Sequence, residues 1–126
     1  MKVKIDTREK FTVITPNEEN LSDIIAAELS QNVTTYLQND IKNVVLCLKD
    51  VAAVDEMAAE ILVKLQQQFY ENSASLVICE IQFEVEQKLD ALGLLELMNT
   101  TPTLSEAADI VQMEEIEREL LDEDDA

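Results

Sequence analysis

An α/β layer is the predicted fold of this 126-residue chain: a single domain with one small mixed β-sheet of four to five strands and about four helices. Three features predict it. Val44–Leu48 is a continuous apolar run of strand length, and Leu76–Ile81 is nearly so, as central strands covered by helices require. Apolar residues recur at helical spacing before, between and after these runs. A 47% hydrophobic fraction fills one core at this length but would starve two.

The elements follow in order. Val3–Thr7 and Phe11–Thr15 are β-branched segments flanking the charged Arg8-Glu9-Lys10, which predicts a hairpin or a broken edge pair. The stretch Pro16–Asn20 breaks that period. From Leu21, apolar residues at Ile25, Leu29, Val33 and Leu37 mark one face of a helix, capped by Asn20 or Ser22 and closed at Asn39-Asp40. After the strand Val44–Leu48 and the connector Lys49–Val54, Asp55 stands at the N-cap of a second helix whose inward stripe is Ala58, Ile61, Leu62, Leu65 and Phe69. Asn72–Ser75 turns into the strand Leu76–Ile81, and a helix spans about Glu84–Leu92. Gly93, the only glycine, follows its stripe as a C′ residue with positive φ. Leu94–Met98 reads as a short strand or turn, and Thr103–Glu106 resembles a capping box opening a last helix through Ala107, Ile110 and Val111. Strand and helix alternate through the middle, so the strands are expected to run parallel with right-handed crossovers.

At Glu114 the composition changes. Eight of the last thirteen residues are acidic, against one arginine. The chain therefore divides into a domain over 1–113 and an acidic extension over 114–126. There Ile116, Leu120 and Leu121 lengthen the last helix with a short apolar stripe, and the Asp-rich end is expected to be disordered. An acidic helix meeting its own copy is repelled, so a monomer or weak dimer is expected.

Composition excludes much. The chain has 27 acidic and 9 basic residues, a net charge of −18, and no histidine. That charge repels phosphate backbones and anionic bilayers, so nucleic acid is not an expected partner and a basic protein is. No apolar run reaches the roughly 18–20 residues that cross a bilayer, and Met1–Asp6 has no signal-peptide character, so membrane insertion is not expected and a cytoplasmic protein is. Without histidine, imidazole metal ligation and Ser-His or Cys-His nucleophiles are closed. One glycine cannot build a phosphate loop, and the acidic cluster Asp122–Asp125 lacks the spacing and turn glycine of a calcium loop. Cys47 and Cys79, 32 residues apart inside apolar runs, read as buried thiols rather than a disulfide or a metal site. No metal or cofactor is expected. Asp55 and Glu56 are the remaining acid/base candidates. Neighbours at a helix start point about 100° apart and do not converge on one substrate, so capping and dipole complementarity account for them better than catalysis.

Several strings resemble the STAS domain, the fold of bacterial anti-sigma-factor antagonists. Family members run from a strand of the Val-Val-Leu-Asp-Leu kind, through a few residues, into Asp-Ser-Ser/Thr-Gly at a helix start. Here Val44-Val45-Leu46-Cys47-Leu48 is followed at the same spacing by Asp55-Glu56-Met57-Ala58. Leu76–Cys79 resembles the next family strand, Leu92–Met98 the late Gly-Leu-x-x-Leu-Phe string, and Thr103–Ala108 the start of the closing helix. The likeness covers about residues 1–113. It implies a non-enzymatic regulator that binds a protein partner, often an anti-sigma serine kinase, which phosphorylates the hydroxyl residue just after the Asp.

The switch itself is altered. Asp55 matches, but Glu56 and Met57 occupy the hydroxyl positions and Ala58 replaces the glycine, so no phosphate acceptor remains there. A phosphate at a helix N-terminus brings about −1.5 to −2 of charge and three acceptor oxygens, where Glu brings about −1 and two. Glu56 either fixes the state that relatives reach by phosphorylation or belongs to a site that now serves another interface. Glutamate in a first helical turn for structural reasons, an adaptable Met57, and Cys47 where relatives often carry Asp weigh toward the second. Phosphorylation elsewhere would fall on Ser22, Ser73, Ser75 or Ser105, whose ordinary roles are capping and turns. The leading expectation is a regulator docking through Asp55, Glu56, Met57 and Ala58. The alternatives are an accessory STAS subunit of a membrane transporter and an acid-based, metal-dependent enzyme using Asp55 or Glu56.

Overall fold

The computed structural model describes residues 1–124, with side chains through Leu121. Strands β1 (Val3–Thr7) and β2 (Thr12–Pro16) form the hairpin, closed by the Arg8 N–H donating to the Phe11 carbonyl at 2.8 Å. A two-residue strand β3 (Asn20–Leu21) precedes α1 (Asp23–Thr34), then come β4 (Val44–Cys47), the two-residue β5 (Ala53–Val54), α2 (Glu56–Glu71), β6 (Leu76–Cys79), α3 (Phe83–Ala91), β7 (Thr100–Thr101) and α4 (Leu104–Asp124). The main sheet has five strands in the order β1-β2-β4-β6-β7, antiparallel at the hairpin and parallel elsewhere. β3 and β5 pair in parallel as a separate small sheet. This is the α/β architecture expected, with a fifth strand and a second sheet too short to carry any periodicity.

Strand alternation sorts the core into two layers. Val44, Leu46, Leu76 and Ile78 pack with Ala26, Leu29 and Val33 of α1, with Ala58, Leu62, Leu65 and Phe69 of α2, and with Val85 and Leu89 of α3. Val45, Cys47, Val77 and Cys79 face the other way, onto Ala107 and Val111 of α4 and Phe11 and Val13 of the hairpin. Ile61, expected in the inward stripe of α2, is only partly buried.

Helix ends depart from expectation where hydroxyls intervene. α1 stops at Thr34 rather than Asn39 and continues as a 3₁₀ turn over Thr35–Gln38. The Thr34 and Thr35 hydroxyls donate back to the Gln31 and Asn32 carbonyls at 3.0 and 2.6 Å, tightening the last turn. Leu94–Met98, read as a strand or turn, holds a 3₁₀ turn over Leu95–Leu97. Gly93 has φ +73, and the Gly93 and Leu94 N–H groups donate to the Asp90 and Leu89 carbonyls, the paired bonds of a Schellman ending. α2 ends the same way on a residue with a side chain: Ser73 has φ +58, with Ser73 N–H bonded to the Tyr70 carbonyl and Ala74 N–H to Phe69.

The acidic extension is tied to the body. Arg118 donates to the Ser75 hydroxyl at 3.1 Å and to Asn43 Oδ1 at 3.2 Å, and Asn43 Oδ1 also accepts the Ser75 N–H at 2.9 Å. The Tyr70 hydroxyl donates to the Glu114 carboxylate at 2.7 Å and accepts from Asn99 Nδ2 at 2.8 Å. Burial and that carboxylate push the phenol above its ordinary pKa. Ile116, Leu120 and Leu121 are exposed along the same helix. The Asp-rich end was expected to be disordered, yet the helix continues through Asp124; Asp125 and Ala126 lie outside the described residues.

Two stability changes follow from these contacts. Ser73→Gly relieves a side chain at positive φ and raises unfolding free energy by about 0.5–1 kcal/mol in urea titration, after the entropic cost of a new glycine. Arg118→Ala removes charged donors from the buried Asn43–Ser75 pair and lowers it by about 1.5–3 kcal/mol, with Arg118→Lys recovering part.

Candidate functional site

The helices α1, α2 and α3 all begin at the edge of the sheet where β2, β4 and β6 end, because parallel strands joined by crossovers deliver every helix start to their carboxyl ends. That edge is where open α/β sheets offer their binding surface. The β3–β5 pair reinforces it, with the Ala52 and Ala53 N–H groups both donating to the Glu19 carbonyl, at 2.7 and 3.1 Å, and Asp55 N–H to Leu21 at 3.3 Å.

Asp55 binds two helix starts at once. Its Oδ1 accepts the Ala58 N–H at 2.7 Å, the N-cap bond expected from sequence. Its Oδ2 accepts the Asp23 N–H at 3.1 Å, reaching the first residue of α1 across 32 positions of chain. Ser22 caps α1 through the Ile25 N–H at 3.3 Å, which settles the choice between Asn20 and Ser22. Both oxygens of Asp55 accept peptide N–H groups that begin helices, which gives this carboxylate a structural role, while Glu56 stands in solvent.

The four residues singled out from sequence divide into support and surface. Asp55 is half-buried and structural. Glu56 and Met57 are exposed in the first turn of α2, Met57 at 60%. Glu56 forms no salt bridge among the described residues, and its charge faces a helix N-terminus that favours it. Ala58 is fully buried, so its methyl packs into the core and offers a partner nothing; its part is the N–H given to Asp55.

Two surface residues were missed. Ile24, second residue of α1, is 76% exposed, and Phe83, first residue of α3, is 69% exposed. Together with Met57 they place a large apolar side chain at the start of each of three helices on one edge. The signal was present as apolar residues lying outside the inward stripes. Gln82 helps fix the α3 start by donating to the Lys49 carbonyl at 2.9 Å. Of the serines, Ser22 and Ser73 have the cap and turn places expected. Ser75 is fully buried, and Ser105 lies inside the first turn of α4, where Thr103 supplies the cap through the Glu106 N–H at 3.2 Å.

Comparison with known proteins agrees with this architecture. The STAS domain family model matches residues 2–107. No curated protein matches the chain by sequence. Among solved structures, an anti-sigma factor antagonist assigned in Thermotoga maritima is similar with a TM-score of 0.77 and 20% identity, over 87% of this chain and 94% of that one. Moorella thermoacetica RsbS, in a serine-to-glutamate variant, is similar with a TM-score of 0.73 and 19% identity, over 89% and 96% of the two chains. The murine Solute Carrier 26 family member A9 anion transporter, inward-facing, gives a TM-score of 0.70 and 16% identity over 86% of this chain but only 18% of its own. At such identities the likeness is one of fold. No helix among the described residues is long and apolar enough to cross a membrane.

The double role of Asp55 is measurable. Asp55→Ala is expected to lower unfolding free energy by about 2–3 kcal/mol, because both helix starts lose an acceptor. Asp55→Asn keeps one oxygen and is expected to lose about half as much. A loss in Asp55→Ala with none in Asp55→Asn, which keeps the side-chain volume, would assign the effect to packing instead.

Proposed function

We propose, from the premise that the chain belongs to the STAS domain family, that it is a non-enzymatic regulator, resembling an anti-sigma-factor antagonist, that docks a protein partner through the first turn of α2 without a phosphorylation switch. The carrying observation is Glu56 beside Met57: a charge and a flexible apolar side chain, both exposed, in a turn held rigid by Asp55. With no hydroxyl at this turn, partner choice rests on a permanent negative charge. The net charge of −18 steers a basic protein surface, of which an anti-sigma serine kinase is one candidate, and Ile24 and Phe83 extend the apolar part of the contact. The cytoplasm is the compartment this role requires.

A place as an accessory subunit of a membrane transporter is the second reading, favoured by the fold likeness to a segment of an anion transporter. In that case the same turn meets the cytosolic face of a transport protein.

The test is affinity capture from native extract at low salt, where electrostatic steering is least screened, using wild type and the double variant Glu56→Lys, Met57→Asp. Both side chains are exposed, so the variant should keep its fold and melt only slightly below wild type, the reversed charge opposing the α2 dipole. Loss of a soluble, kinase-like basic protein from the variant is the expected result. Recovery of a detergent-solubilised transporter instead selects the second role. Equal recovery of the same partners by both proteins would refute docking at this turn.

A further inference from the structure

Cys47 and Cys79 end the central strands β4 and β6, and the register sets them directly opposite each other. Both are free thiols, 3% and 0% exposed, on the sheet face covered by α4. The residue after them is unusual. Strand alternation would carry Glu80 to the opposite face from Cys79. Instead Glu80 takes φ +55, a left-handed conformation that a residue with a side chain adopts only at a steric cost, and its carboxylate comes back to the thiols. Cys47 Sγ donates to Glu80 Oε2 at 3.5 Å. The two sulfurs and a Glu80 oxygen all lie within 4.8 Å of one another.

We infer that Cys47, Cys79 and Glu80 form a binding site for a soft divalent cation of the zinc and cadmium class. Two sulfurs select such ions over magnesium or calcium, which take all-oxygen shells. In a tetrahedral centre with metal–sulfur bonds of about 2.3 Å and metal–oxygen bonds of about 2.0–2.2 Å, ligand atoms sit roughly 3.5–3.8 Å apart, so small side-chain rotations draw the three donors together. Glu80 is only half-buried, which gives the ion an entry and leaves the fourth position to water. Metal binding requires thiolates. On binding, each thiol releases its proton to solvent and both sulfurs donate lone pairs to the ion, with no change of oxidation state.

The test titrates the reduced, metal-free full-length protein with Cd²⁺ at neutral pH and follows the sulfur-to-cadmium charge-transfer absorption in the ultraviolet. A band saturating at one ion per chain, displaced by Zn²⁺ and untouched by Mg²⁺, is expected. Cys47→Ser and Cys79→Ser should each remove most of it. Glu80→Gln, at a half-buried position that spares the core, should weaken Cd²⁺ binding by about tenfold or more. Absence of a saturable band in wild type would overturn the site, as would a band that persists unchanged in Cys47→Ser, or affinity unchanged in Glu80→Gln. Circular dichroism of each variant separates a lost ligand from a lost fold. If either serine variant unfolds, the wild-type and Glu80→Gln titrations decide.

Discussion

A single carboxylate joins two of the three helices that cover the larger core. Asp55 accepts one peptide N–H from α2 and one from α1, so each helix start fixes the other, and neither has to be capped by water. The small β3–β5 sheet brings the two segments within reach of that carboxylate. The side chain most deeply involved in the proposed recognition string is thereby committed to structure, and the surface is left to its neighbours. Glu56 and Met57 project from a turn whose geometry they do not have to maintain, so this position tolerates a change of chemistry without a change of fold.

The opposite face obeys another logic. Three helices share one side of the sheet while α4 alone covers the other, where its Ala107 and Val111 meet the small and medium side chains that β4 and β6 present, Val45, Cys47, Val77 and Cys79, beside Phe11 and Val13 of the hairpin. Small side chains let the helix lie close. Its second half has little apolar burial and is held by polar contacts instead, Arg118 to Asn43 and Ser75, and Glu114 to Tyr70. The one arginine in the acidic stretch is the one that reaches the sheet. The acidity of α4 is thus compatible with docking because its contact with the body runs through that cation and through neutral donors.

Much of this was legible in the chain itself. Val44–Leu48 and Leu76–Cys79 read as central strands because apolar runs this short, rich in valine and bounded by polar turns, suit a helix-covered sheet, and Asp55, Gly93 and Thr103 sit where caps and turns need them. Pairs of two residues, Asn20-Leu21 with Ala53-Val54 and Thr100-Thr101 against β6, were not legible, since so short a strand has no period. The burial of Ala58 was readable as part of the α2 stripe, yet the family string drew it toward the surface. Arg118 as an anchor, the Asp55–Asp23 bond and the grouping of Cys47, Cys79 and Glu80 depend on residues brought together from 75, 32 and 33 positions away. No local pattern encodes such pairings. Glu80 is the sharpest case, because alternation assigns it to the wrong face and only the left-handed backbone turn returns it.

Rigidity at the start of α2 has a further implication. A surface already ordered before encounter forfeits little conformational entropy on association, so its affinity is close to what its contacts supply. If the turn cannot be modified, the fraction of partner held at any moment is set by how many copies of the chain the cell makes and destroys. Control would then move from chemistry on the protein to its synthesis and turnover.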